Sequence, residues 1–512
     1  MCSILGIYFF KKSIDSLLID KIGISLDSLH RRGPDEKYII QVSNNCIMAG
    51  NRLAIRTAIN NDTMPFQYKE HVCIYNGEIY NYKNWSKSAN NDGEIILPAF
   101  IKQGFSVFKE FDGEFAISIY DKKKNRIILA RDQFGTKPLY FALDNECIIW
   151  ASSANAIHLI KNQIICQSVK SSVYHHTMSV QEPYTSYSNI WLLPPGHLLT
   201  INFDEIFFSA FNKWNEGTYN SDDCSELFKS VEDSLLHRLK HTDTIAIPMS
   251  GGIDSGIIAF YADKIGVPYE IFSVIEMLGE EIKETKYINK RIERLKNAKK
   301  VNLIKVGYDT YNEALQNIYL PNYYDSAFFD SGAIPTYALY KTINERKIKV
   351  AIDGVGGDEL CHGYKFRDQF TSLDNWPKNW EKCNYYYSLY TTLLNYTQKS
   401  DRAGGFFSIE SRFPFQTVSI YNAAKNLQIT NELKWPLRKY LLEFLDYGES
   451  LKIDRNLKVG FSLKNAESIN VIEDMQKAWL KANNLREMPI RLPNPFPFTI
   501  AKNKIYRNER NA

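Results

Sequence analysis

Thr244-Ile245-Ala246-Ile247-Pro248-Met249 runs directly into Ser250-Gly251-Gly252-Ile253-Asp254-Ser255, and an apolar stretch continues over residues 256–265. The first six residues read as a strand and the last ten as a helix. The glycine-rich turn between them presents backbone N–H groups at a helix N-terminus, an arrangement that suits phosphate. A Gly-Gly pair alone is most often a tight turn. Ser-Gly-Gly-x-Asp-Ser between a strand and a helix is a narrower signal. No Gly-x-x-x-x-Gly-Lys-Ser/Thr loop is present, which disfavours a kinase or an ordinary NTPase.

Further strands are expected at 269–275, 300–306 and 347–352, with helices between them. That alternation predicts a doubly wound α/β half with a parallel sheet. The last strand opens into Asp353-Gly354-Val355-Gly356-Gly357-Asp358-Glu359-Leu360. Asp254 and Asp358 then stand as carboxylates at strand ends, placed for Mg2+ bridging triphosphate oxygens. An acidic loop is otherwise most often just solvated. A helix over 222–239 precedes this half, and residues 201–225 read as the join.

The first two hundred residues have a different texture. Short strands at 4–10, 38–42, 72–75, 115–120, 126–130 and 147–151 are separated by polar turns, which predicts stacked sheets. A helix is expected over 93–103 with Asp92 near its start. The basic run 122–124 reads as a solvated hairpin turn. Cys2 directly follows the initiator methionine. Removing Met1 would place a thiol and a free α-amine on one residue, and an α-amine of pKa about 7.7–8.0 can act as a base.

The 512 residues suit two or three domains. With 62 basic and 58 acidic residues, net charge +4, there is no electrostatic case for nucleic acid or a membrane surface. Eight cysteines contain no Cys-x-x-Cys pair and read as free cytosolic thiols, predicting a cytoplasmic protein. No apolar run approaches a membrane span, and residues 4–10 lack the basic flank of a signal peptide.

Five polar segments recur in order after Cys2: His30-Arg31-Arg32-Gly33-Pro34-Asp35, Arg52-Leu53-Ala54-Ile55, Asn76-Gly77-Glu78-Ile79-Tyr80-Asn81, Asp112-Gly113-Glu114-Phe115-Ala116, and Arg131-Asp132-Gln133-Phe134-Gly135-Thr136-Lys137-Pro138. Singly each is more often a turn than a site. Together they resemble the glutaminase domain of class II glutamine amidotransferases, an αββα Ntn-hydrolase sandwich. The second half resembles the asparagine synthetase family. Its matching segments are the Ser250–Ser255 loop, the stretch from Asp325 to Tyr337, the loop from Asp353 to Tyr364, Glu410-Ser411-Arg412-Phe413-Pro414-Phe415 and Arg455-Asn456-Leu457-Lys458-Val459-Gly460-Phe461.

The resemblance implies a glutaminase domain over 2–205 and an ATP-pyrophosphatase domain over 220–512. It implies Cys2 as nucleophile, Asn76 and the Gly77 N–H as oxyanion hole, and Arg52, Glu78 and Asp92, with Asn76 and Gly77, as glutamine-binding groups. ATP would lie on Met249, Ser250, Gly251, Gly252, Asp254, Ser255, Val274, Asp353 and Gly354, with Mg2+ on Asp254 and Asp358. Lys458 would stabilise developing charge. The implied reaction uses ATP to adenylate a carboxylate, aspartate or another small acid, which ammonia from glutamine then converts to an amide. A homodimer is also an expectation.

The chain departs from the family pattern at five places: Ser3 where Gly is usual, Ser153 for an acid, Ser326 in Asp325-Ser326-Ala327, Val355 for a polar or acidic residue, and the pair Gln416-Thr417 for Leu-Asp. Those nearest the acceptor pocket put the identity of the carboxylate in question. A uronic acid sugar or a peptide-like acid is the alternative to aspartate.

Overall fold

The computed structural model describes residues 1–55, 64–162, 180, 182–212, 214–215, 217–239, 244–320, 323–325, 328–363, 392–428, 430, 432–444 and 471–484. The first half carries β1 (Ser3–Phe9), β2 (Glu36–Ser43), β3 (Cys46–Arg52), β4 (Phe66–Tyr68), β5 (His71–Ile79) and β6 (Gly113–Asp121). It continues with β7 (Arg126–Arg131), β8 (Tyr140–Leu143), β9 (Cys147–Ala151), β10 (Trp191–Leu192), β11 (His197–Ile201) and β12 (Ile206–Ala210). These form two six-stranded sheets, ordered β10-β8-β9-β1-β3-β2 and β12-β11-β7-β6-β5-β4. Neighbouring strands pair antiparallel throughout both.

Side-chain alternation explains the layering. On β1, Ile4 and Tyr8 enter the core between the sheets, with Met48, Ile74, Ile117 and Trp150. Leu5, Ile7 and Phe9 face the other way, onto Ile22, Leu26, Ala154 and Ile157. The last four belong to helices Ser16–Ser28 and Ala154–Lys161, which the sequence reading did not anticipate. Burying one apolar face of each helix on the sheet closes this side of an αββα sandwich. The expected strands are found, most a few residues longer. The expected helix at 93–103 is a 3-10 turn (Gly93–Ile95) followed by an α-helix (Ile96–Gln103).

The second half contains β13 (Ile245–Pro248), β14 (Tyr269–Met277), β15 (Glu280–Glu281), β16 (Ala298–Val306), β17 (Val350–Ile352) and β18 (Glu410–Arg412). The strand path is β15-β14-β13-β17-β18, with β16 also on β14, and all pairs are parallel except β14 with β15. Both faces are covered. Ile245 and Ile247 pack into one core and Ala246 into the other, which is why this strand is apolar throughout. After β13 the chain builds outward through β14, and it later returns to the other side of β13 as β17. That reversal is a topological switch point, and ligands of such sheets bind outside the strand C-termini there. The residues at those two ends are Ser250 and Asp353.

Candidate functional site

Strand register builds the first site. Ser3 on β1 pairs with Asn51 on β3, so Cys2 and Arg52 come together at one end of the sheet. Ser3 sits fully buried as the first residue of β1, so its Cβ is accommodated. Asn-Gly, which as a dipeptide reads as a hairpin turn, instead lies inside β5 opposite Ala116 and Phe115. Gly77 takes φ +147°, and a Cβ there would collide with the Glu114 carbonyl oxygen. Only glycine suits that backbone. Asn76 is fully buried, and both its amide atoms lack a hydrogen-bond partner among the described residues. Unsatisfied buried amides are rare and call for an explanation.

Around them, Arg52 Nη1 donates to Glu36 Oε2 at 2.7 Å, and Asp92 Oδ2 accepts from the Ile79 backbone at 2.8 Å. Asp92 therefore fixes the end of β5 rather than capping the helix that follows. Arg412 Nη2 reaches Glu78 Oε1 at 3.4 Å. Burial pushes the Tyr75 phenol far up, with the charges of Asp92, Glu78 and Cys2 adding to it. Burial also raises the Cys2 thiol, against the pull of the adjacent amine, the Leu53 N–H and Arg52. The Met1 amine is pushed down to about 5 by burial, with Glu410 opposing.

The second site lies at the switch point. The Met249 N–H donates to the Phe272 carbonyl, and the Ser273 hydroxyl donates to the Met249 carbonyl, which ties the loop to β14. Within the turn, the Gly252 N–H donates to Ser250 Oγ at 3.1 Å and the Ser250 N–H to Ser255 Oγ at 3.2 Å. Arg291 holds the Gly251 carbonyl through Nε and Nη2. Gly354 and Gly357 let the second loop close on Asp254; a Cβ on Gly354 would stand 3.1 Å from the Asp254 Cβ. Val274 is buried near the end of β14. Asp353 accepts from Ser400 Oγ (2.6 Å) and the Val355 N–H (3.0 Å), and burial raises its carboxyl.

Asp254 and Asp358 do converge, but on a lysine. Lys434 Nζ lies 2.5 Å from Asp254 Oδ2 and 2.8 Å from Asp358 Oδ1. Burial lowers the lysine pKa, yet the two carboxylates outweigh it and hold the ammonium charged. The oxygen donors are of the type Mg2+ takes, but the ammonium stands between them, so a metal held by both carboxylates would have to displace Lys434. Sequence reasoning missed Lys434, because its 180-residue separation from Asp254 leaves no local signal. It also missed Glu284, raised to about 7 by burial beside the Gly251 N–H. Lys458 and Ser326 lie outside the described residues.

The departures have local reasons. Ser153 Oγ donates to Asp325 Oδ1 across the two halves at 2.5 Å. Thr417 caps the helix Val418–Ala424 through the Ile420 N–H, the role a side-chain oxygen at that position serves. Gln416 is buried; its Nε2 donates to Thr397 Oγ1 (2.9 Å) and lies 3.4 Å from the Val355 carbonyl.

Residues 1–212 match the model of a glutamine amidotransferase domain, and residues 226–389 match that of an asparagine synthase. Asparagine synthetase 1 (glutamine-hydrolysing) of Bacillus subtilis is 28% identical over 62% of this chain and 51% of its own length. Asparagine synthetase B of Escherichia coli is 25% identical over 72% of this chain and 65% of its own. A glutamine-hydrolysing asparagine synthetase of Sandersonia aurantiaca is 23% identical over 83% and 78%. No helix among the described residues is long and apolar enough to cross a membrane.

Proposed function

This chain belongs to the glutamine-hydrolysing asparagine synthetase family, and we propose that it makes asparagine from aspartate, glutamine and ATP. Residues 2–205 would hydrolyse glutamine and residues 220–512 would activate the acceptor. With Met1 removed, the Cys2 sulfur attacks the glutamine side-chain carbonyl while its α-amine moves the proton. The C–N bond breaks, ammonia leaves, and water later releases glutamate from the thioester. Asn76 Nδ2 and the Gly77 N–H stabilise the oxyanion. Arg52 offers its planar fork to the glutamine carboxylate, and Glu78 and Asp92 hold its polar groups.

At the switch point, an aspartate carboxylate oxygen attacks the α-phosphorus of ATP and pyrophosphate leaves. Ammonia then attacks the acyl carbon and AMP leaves. The loop Ser250–Ser255 cradles phosphate, with Met249 and Val274 beside the nucleotide and Asp353 and Gly354 across from it. Asp254 and Asp358 would hold Mg2+, which when bound neutralises phosphate charge. Lys434 neutralises the two carboxylates before the metal arrives and would turn to phosphate once Mg2+ takes its place, and Lys458 would add another positive charge. The buried Asn76 amide, unpartnered among the described residues, is the observation that carries the glutaminase half, because an oxyanion hole needs donors left open for the substrate.

Val355 packs against the apolar core beside the nucleotide loop and supplies no charge to the acceptor. That observation keeps a second reading: the same chemistry on another carboxylate, such as a uronic acid sugar. Pyrophosphate and glutamate release with Mg-ATP and glutamine, with and without aspartate, decides. Aspartate-dependent pyrophosphate together with asparagine supports the first reading. Glutamate release without it supports the second. Silence in both assays from a chain confirmed to start at Cys2 defeats both.

A further inference from the structure

One helix, Leu393–Phe406, belongs to both sites. Adjacent residues on a helix point about 100° apart, and here Ser400 and Asp401 use that angle to face different halves of the molecule. Asp401 Oδ2 accepts from Arg32 Nη2 at 3.1 Å, and its Oδ1 lies 3.6 Å from Lys137 Nζ. Arg32 in turn donates through Nε to the Cys2 carbonyl at 3.3 Å. On the other side, Ser400 Oγ donates to Asp353 Oδ2 at 2.6 Å. Asp353 is the first residue of the loop that holds Val355 and Asp358.

This line is short, and its middle is closed to solvent while its two ends, Cys2 and Asp353, are half-buried. Arg32 and Asp401 are each 1% exposed and Ser400 3%. The helix lies against Arg32 because Gly405 has no side chain; a Cβ there would stand 2.5 Å from Arg32 Nη1. The Ser411 hydroxyl donates to the Ser400 carbonyl and fixes the turn from behind. Between Arg32 and Asp401, where both side chains are buried, water cannot replace a partner that moves away, so a shift of the helix is passed on to Arg32. Burial opposes the charge on Asp401, but Arg32, Lys137 and Arg402 together outweigh it, so the carboxylate stays ionised.

We infer that Ser400 and Asp401 are positioning residues that couple the nucleotide loop to the geometry at Cys2. This rests on the two-site reading above. A nucleotide that engages Asp353 changes the demand on the Ser400 hydroxyl. The same helical turn carries Asp401, and through Arg32 it moves the Cys2 carbonyl. By linkage, whatever factor the nucleotide imposes on glutamine affinity, bound glutamine imposes on nucleotide affinity; that equality holds for binding and not for turnover.

The test uses the full chain, with Mg-ATP and glutamine as the only ligands. Glutamate release is followed over glutamine concentration with and without saturating Mg-ATP, and Mg-ATP binding is measured separately by equilibrium dialysis. Mg-ATP is expected to change kcat/KM for glutamine by about fivefold or more. Ser400→Ala and Asp401→Asn should each bring that factor close to one, with ATP-free glutaminase kept within about threefold. The double variant should be no further uncoupled than either single, because both sit on one line. Ser400→Ala removes only a hydroxyl, so it carries the test if Asp401→Asn does not fold. Mg-ATP that binds without changing glutaminase kinetics overturns the inference. So does coupling that survives in Ser400→Ala, or a uniform loss of both activities. Failure of Mg-ATP to bind at all defeats the two-site reading itself.

Discussion

Asn76 carries a buried amide that has no hydrogen-bond partner among the described residues. Asn76→Ala should therefore lower glutamine hydrolysis by about 10²–10³-fold, the usual cost of losing one oxyanion donor. Ammonium chloride supplied in place of glutamine should restore pyrophosphate release. Loss with both nitrogen sources would mean a folding defect instead. His362 offers a pH test beside the second site, its carbonyl accepting from the Lys434 backbone N–H at 3.3 Å. Burial pushes it down to about 4, with the Ala424 carbonyl opposing. The unfolded chain then binds a proton between pH 6.5 and 4 that the folded chain refuses, so stability falls as pH drops through that window. The contribution is on the order of 2 kcal/mol, less than the full shift because the ring is only partly enclosed. His362→Asn tolerates the left-handed backbone found there, φ 58°, and should flatten the acid limb of a denaturant-midpoint profile. An unchanged limb would remove His362 as its source. Cys2, Asn76 and the Ser250–Ser255 loop were legible as residues, since each sits in a short motif. Lys434 was not, because a lysine before Trp435 carries no sign of the two carboxylates it meets.

At the scale of elements, most strand positions followed from apolar pattern, and the doubly wound parallel sheet followed from the alternation of strands and helices. What escaped was set by neighbours distant in sequence. The Asn-Gly pair became mid-strand because β6 lies beside it and leaves no room for a Cβ at Gly77. Helices Ser16–Ser28 and Ala154–Lys161 form because the outer face of β1 needs cover. Their own apolar pattern is weak enough to be missed. Thr417 illustrates a cap that survives a change of residue. Thr417→Ala should cost about 1 kcal/mol in chemical denaturation, and Thr417→Asp should cost almost nothing. Equal losses for both would show that the Ile420 N–H does not depend on this side chain.

Across the whole molecule, the two halves meet through charge that water does not reach. Arg412 is fully buried, with Glu410 at 2.7 Å, Glu78 at 3.4 Å and the Arg238 carbonyl at 2.9 Å. Removing one partner of such a set leaves uncompensated charge. Arg412→Met should lower unfolding stability by about 3–5 kcal/mol, read as a fall in denaturant midpoint. A shift near zero would mean the carboxylates find other partners. Little of this was legible beforehand, since Glu410-Ser411-Arg412 reads only as a motif, and Glu78 and the Arg238 carbonyl are far from it in sequence. The seam also bears on how the chain can be handled. Cut between Ala210 and Ser225, neither piece would be a self-sufficient module. One fragment would expose Glu78 and Arg32 on bare surface, the other Asp401, Glu410 and Arg412. Each fragment would have to hydrate groups that the intact chain keeps dry, so reconstitution from separately produced fragments should succeed only when both are present during refolding.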